Sequence, residues 1–207
     1  MSETAPHRSA LEEPEAAIVA ALGQRSVVLV GMMGVGKSTI GRRLAVRLGL
    51  PFTDADHEIE VAHAGMTIPE IFTEHGEPYF RDGEARVIAR LLEGPPGVLA
   101  TGGGAFMRED TRDRIRAKAV SIWLRADADI ILRRVKRRAD RPLLQTEDPA
   151  DTINRLIEIR YPVYQSADLM VVSRDEPHEK VVDDCIAVLS DHLCRAEGPA
   201  SHLSKIE

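Results

Sequence analysis

An apolar strand that runs straight into a glycine-rich turn and then a helix leaves a chain few ways to fold. Ser26 to Ser38, SVVLVGMMGVGKS, is such a run. Ser26 to Val30 is a short β-branched stretch, and Gly31 to Ser38 fits G-x-x-x-x-G-K-[ST]. The glycines let backbone N–H groups converge on a phosphate with no side chain in the way. A helical pattern over Ser38 to Leu48 then adds the positive end of its dipole. Lys37 is expected to reach the β- and γ-phosphates, and the Ser38 hydroxyl to ligate Mg²⁺. A glycine-rich turn that binds nothing is the alternative, and the strand before and helix after weigh against it. The cradle alone does not choose between a kinase, a hydrolase and a switch. The guanine-reading N-K-x-D string is absent, which argues against a GTPase.

The rest of the chain repeats the rhythm. Pro51 to Asp54, Gly97 to Thr101, Val120 to Leu124 and Leu169 to Val172 read as four more short strands. A helical stretch runs from about His57 to Glu93 with breaks near Gly65 and Gly76, and Pro177 to Leu193 closes as an amphipathic helix. Nearly all-apolar strands separated by helices predict a parallel sheet buried on both faces, in a three-layer α/β domain. Ligands of such sheets sit beyond the carboxyl ends of the strands. The glycines and two aspartates fall at those ends.

The length of 207 residues suits one such domain plus tails. A net charge of −6 argues against a bulk nucleic-acid binder. Yet Arg133 to Arg141, RRVKRRADR, sets six cations around one acid, either a solvated helix face or a surface for an anion. Residues 138–150 hold two prolines and little helical period, and read as a mobile lid over the site. No run approaches the roughly 18 apolar residues of a membrane span. The polar, acidic start lacks the features of a signal peptide. Two late cysteines, Cys185 and Cys194, make no disulfide framework. A cytoplasmic monomer with no nucleic-acid or membrane partner is expected, with residues 1–24 a flexible extension, 25–194 the domain and 195–207 a tail.

On the acceptor side, Asp54 and Asp56 follow the second strand and project toward the mouth of the cradle. One suits Mg²⁺ through water and the other suits substrate hydroxyls and a proton, while Asp56 could equally be a helix N-cap. Arg81 sits among aromatic residues in IFTEHGEPYFRDGE and suits bidentate capture of a carboxylate, although alone it would pass for a surface arginine. Gly102 to Gly104 would be a flexible turn by default. At the end of a parallel strand it also bares backbone amides to a substrate.

Taken together these strings resemble the shikimate kinase family. The matching pieces are GMMGVGKST at Gly31 to Thr39, F-x-D-x-D at Phe52 to Asp56 and I-F-x-x-x-G-E-x-x-F-R-x-x-E at Ile71 to Glu84. TGGGA at Thr101 to Ala105, R-P-L-L at Arg141 to Leu144 and R-x-P-x-Y at Arg160 to Tyr164 complete the set. The resemblance spans about Ser26 to Leu193 and implies a P-loop fold like that of nucleoside monophosphate kinases, with five parallel strands and a lid. It implies ATP as co-substrate on Gly34, Val35, Gly36, Lys37, Ser38 and Thr39, with Arg141 closing on the phosphates. It implies shikimate on Asp56, Arg81, Gly102, Gly103, Gly104 and Arg160, with Asp56 as base and Lys37 and Arg141 as its catalytic partners. Mg²⁺ would be held by Ser38 and, through water, by Asp54. Arg137 or Arg138 would flank the adenine. The rivals are another small-molecule kinase, for gluconate or a nucleotide, and a degenerate kinase fold that only binds.

Overall fold

The structure, a computed structural model, describes residues 13–136 and 148–194. Five strands form one parallel sheet: β1 (Ser26–Val30), β2 (Phe52–Asp54), β3 (Val98–Ala100), β4 (Ala119–Arg125) and β5 (Leu169–Val172). Their spatial order is β2-β3-β1-β4-β5. Neighbours run in step, with Val28 beside Leu99 on one side and beside Ser121 on the other. All five residues of β1 are buried. Successive side chains of a strand point to opposite faces, so both faces of the centre are covered. The expected α/β architecture is therefore borne out, and each of the five expected strands is found within two residues of its bounds.

Helices α1 (Glu13–Leu22), α2 (Lys37–Leu48) and α8 (His178–Cys194) pack on one another. The long helix α4 (Ile68–Leu92) packs on α3 (Ala55–Ala62) and on α5 (Glu109–Lys118), while α6 (Ala128–Lys136) packs on α7 (Pro149–Tyr164). Gly76, at φ 82° and ψ 167°, breaks α4 where an interruption is expected. A capping box between Thr67 and Glu70 starts that helix. The chain leaves β1 toward the β2 edge and crosses back to β4, which opens a crevice beyond the carboxyl ends of β1 and β3.

Two expected boundaries change. Residues 1–24 read as a flexible extension, yet residues 13–22 form α1, which buries Ile18 and Leu22 on the core. Glu15, 1% exposed, accepts from Arg47 of α2 at 3.0 and 2.5 Å, and Arg47 also pairs with Asp183 of α8 at 2.9 Å. Pairs between elements this far apart in the chain are invisible in the composition of a ten-residue segment. At the other boundary, residues 148–150 belong to α7 rather than to a lid. Asp148 caps that helix through the N–H groups of Ala150 and Asp151, and Pro149 occupies its first turn. The remaining lid positions, with Arg137, Arg138 and Arg141, lie outside the described residues.

Candidate active site

The P-loop leaves β1 at Gly31 and enters α2 through Gly36. Gly36 stands at φ 100°, a left-handed conformation that side chains resist, and it ends the loop just where the helix must begin. No side chain caps α2 and no acid stands in its first turn, so its N-terminal amides and positive end face the crevice. Lys37 arches back over the loop, its Nζ donating to the carbonyls of Gly31 at 2.8 Å and Met32 at 2.9 Å.

Two adjoining clefts open from this loop. The first, of about 410 Å³, is walled by Gly34, Gly36, Lys37, Ser38, Thr39 and Arg134. The second, of about 360 Å³, is walled by Asp54, Asp56, Arg81, Glu84, Gly102 to Gly104 and Arg160. Four residues, Met33, Ser38, Asp56 and Gly103, line both. The side chain of Val35 is fully buried and walls neither cleft, which leaves the role expected of it to its backbone N–H. Its carbonyl accepts from Arg134 at 3.2 Å and from the Ser173 hydroxyl at 2.9 Å. Arg134, a cation of the basic run that the sequence did not single out, walls the first cleft as well. It stands on α6, and its signal was the helical half of the basic run.

The aspartates divide their work differently from one of the expected alternatives. Asp54, not Asp56, is the N-cap of α3, and its Oδ1 accepts from the Asp56 N–H at 3.1 Å. That bond holds the first turn of α3 and carries the Asp56 carboxylate to the seam between the clefts. Arg81 follows the kink of α4. Its guanidinium lies 5.1 Å from the Phe80 ring and 5.8 Å from the Phe72 ring, and donates to Glu84 at 2.8 Å and to Glu77 at 3.0 Å. Glu84 is 1% exposed, and its second oxygen, Oε1, is buried with no hydrogen-bond partner among the described residues. Burial pushes the Glu84 carboxyl up from its usual range, with Arg81 beside it pulling the other way.

The triple glycine lets charged side chains stand against the backbone. A Cβ on Gly102 would stand 2.5 Å from Glu84 Oε1, and one on Gly104 would stand 2.5 Å from Arg81 Nη1. Gly103 faces Met33 and Arg160 at 3.2 and 3.5 Å from such an atom. The turn thus clears space for the charged groups as well as baring amides. Arg160, on α7, is 8% exposed and donates from Nη1 to the Gly103 carbonyl at 3.1 Å. The second cleft therefore sets two arginines, four carboxyl groups (Asp54, Asp56, Glu60 and Glu84) and a side-chain-free backbone around one space. Such a set suits a small ligand with hydroxyls and a carboxylate of its own.

Comparisons with known proteins agree with that chemistry. The model of the family described as shikimate kinase matches residues 33–190. The chain is 72% identical over 197 residues to a shikimate kinase of Rhodopseudomonas palustris, covering 95% of this chain and 97% of that relative. It is 69% identical over 196 residues to one of Bradyrhizobium diazoefficiens, covering 93% and 94%. Among solved structures, the shikimate kinase of Acinetobacter baumannii in complex with shikimate superposes with a TM-score of 0.79 at 36% identity, over 84% of this chain and 98% of that one. A gluconokinase of Sinorhizobium meliloti, at 18% identity and a TM-score of 0.56 over 84% and 95% of the two chains, shares the fold alone. With a family match across most of the domain and relatives this near over almost the whole length, the chain belongs to the shikimate kinase family.

Proposed function

We infer that this chain transfers the γ-phosphoryl group of ATP to the 3-hydroxyl of shikimate, giving shikimate 3-phosphate and ADP, a step of aromatic amino-acid biosynthesis. The observation that carries this reading, beside the family, is the seam where Ser38, Asp56 and Gly103 line both clefts. A donor held on the P-loop and an acceptor held by the arginines meet there.

Phosphoryl transfer passes through a loose transition state, so positioning and charge stabilisation outweigh covalent chemistry. The Lys37 ammonium and the first-turn amides of α2 face the transferred oxygens and take up their spreading charge. Arg81 and Arg160 grip the acceptor's carboxylate, which leaves its ring hydroxyls toward Asp56. Asp56 orients the reacting hydroxyl and accepts its proton as the new P–O bond forms. The hydroxyl of Ser38 and the carboxylate of Asp54 are hard oxygen donors on one wall, a set that fits Mg²⁺ bound mostly by phosphates and water. Held there by Ser38 and, through water, by Asp54, that ion would supply positive charge against the phosphates. Among the described residues no helix is long and apolar enough to cross a membrane, and both cysteines are free thiols. Free thiols suit the cytoplasm, where we place the enzyme.

Release of ADP, followed with shikimate, gluconate or a nucleoside monophosphate as acceptor and against a blank with none, tests the reading. Turnover is expected with shikimate alone. Equal or faster turnover with either rival acceptor would overturn it.

A further inference from the structure

The string R-x-P-x-Y gives Arg160 to the acceptor cleft and leaves its tyrosine without a task. Tyr164 is 1% exposed and is among the largest fully buried side chains. Its ring is packed by Trp123, Phe106 and Tyr161 at centroid distances of 6.0, 6.3 and 6.3 Å. A phenol this deep needs a partner for its hydroxyl. It has one in the carbonyl of Gly103, the middle glycine of the acceptor turn. Burial pushes that hydroxyl up to about 12, so it remains a donor through the physiological range. The same carbonyl accepts from Arg160. Residues four apart share a helix face, so one oxygen is held by two donors on successive turns of α7.

The turn needs such holding. Three consecutive glycines lose more backbone freedom on folding than any other residues would. Its flanks are tied to the fold, with Thr101 donating to Leu29 at 3.2 Å from its N–H and 3.0 Å from its hydroxyl. Beyond the turn, Ala105 and Met107 donate back to Gly102 and Gly104 at 3.3 and 3.0 Å. Between those ties, the described bonds to the Gly103 carbonyl come only from Arg160 and Tyr164. The carbonyl of one planar trans peptide and its N–H point in opposite directions. A carbonyl drawn toward α7 therefore turns the Gly104 N–H away from α7, and Gly104 lines the acceptor cleft.

We propose that Tyr164 is a positioning residue for the acceptor, its hydroxyl fixing the Gly103–Gly104 peptide so that this backbone and Arg160 meet shikimate in one geometry. The proposal rests on the reading of the second cleft as the shikimate site. Without the hydroxyl, Arg160 would be the lone tether of the carbonyl, and the guanidinium would lose its fixed distance from the turn.

Tyr164→Phe keeps the ring and removes the hydroxyl. Tyr161→Phe is its control, because Tyr161 on the same helix donates its hydroxyl to Ala126, away from the clefts. In steady-state assays Tyr164→Phe is expected to raise KM for shikimate about tenfold, as loss of one buried hydrogen bond does, with KM for ATP within about twofold. Tyr161→Phe should leave KM for shikimate within about twofold. Parallel rises in both KM values, no rise at all, or the same rise in Tyr161→Phe would each overturn the proposal. Amide hydrogen exchange at residues 103–105 supplies a readout independent of turnover, and faster exchange in Tyr164→Phe alone is expected. Unchanged exchange would count against it. A wild-type enzyme inactive on shikimate would instead remove the underlying reading of the cleft.

Discussion

The two clefts are built in opposite ways. The donor side is built around one unbroken string, Gly31 to Thr39, which supplies the loop, the lysine and the helix end, while Arg134, Asp175, Glu176 and His178 close its far wall. Its chemistry is largely backbone, so any phosphate fits it. The acceptor side is gathered from far apart in the chain: Asp56 from α3, Arg81 and Glu84 from α4, the glycines after β3, and Arg160 with Tyr164 from α7. Its chemistry is side-chain charge held at fixed distances, and on the function proposed above it is there that the acceptor is chosen. A contiguous site reads phosphate, and an assembled site reads one molecule.

Substitutions on the two sides should therefore separate donor from acceptor kinetics. Lys37→Ala should lower kcat on the order of 10²- to 10³-fold, as removal of a charge-stabilising donor does. Near-normal turnover would break the donor half of the contrast. Asp56→Asn sits on the seam, and a roughly 10²-fold loss of kcat is expected with ATP affinity nearly intact. A matching loss of nucleotide affinity, read by titration calorimetry, would place it on the donor side instead. Arg81→Ala should raise KM for shikimate about 30-fold or more with little change for ATP, since it strips one member of a partly buried charge network. Gly104→Ala pushes a methyl group to 2.5 Å from Arg81 Nη1. It should weaken shikimate binding about tenfold through displacement of that side chain alone. If ATP binding weakened equally, the distortion would have reached the P-loop.

The smallest effect belongs to pH. The folded-state pKa of Glu84 lies above its ordinary value of 4.5. A carboxyl shifted upward binds its proton more tightly in the native state, so its contribution to stability is present below that value and is lost as pH rises through the folded pKa. Glu84→Gln cannot titrate. Its Tm should fall less than wild type as pH climbs from 4.5 upward, by about 2–4 °C for each kcal/mol involved. Parallel Tm profiles would show that Glu84 keeps its charge.

What was legible in the chain follows the same division. The strands were readable because short apolar runs bounded by glycine, proline and aspartate have few other solutions, and β1 and β5 fall where they were expected. Lys37, Asp56 and Arg81 could be named because each sits in a string whose residue types carry chemistry, and Arg160 only through the family resemblance. The partners that hold them could not. Glu84 and Tyr164 stood in those strings without a visible role, because a role that consists of touching Arg81 or the Gly103 carbonyl exists only once distant elements meet. Arg134 was hidden in a basic run whose cations look alike until α6 turns one of them under Val35. Helix α1 was missed for a related reason, since its buried acid looks like a surface residue until Arg47 reaches it.

The shared wall of Met33, Ser38, Asp56 and Gly103 has a practical meaning for inhibition. Two substrates that meet at one seam could be replaced by a single tethered compound, with a nucleotide at one end and a hydroxylated carboxylate at the other. Its linker would pass where the phosphoryl group passes. Binding of the first end would then present the second at a high effective concentration, so that avidity could exceed what either end achieves alone. Selectivity would come from the acceptor end, because many proteins cradle phosphate, whereas Arg81, Arg160 and the triple glycine together describe one shape.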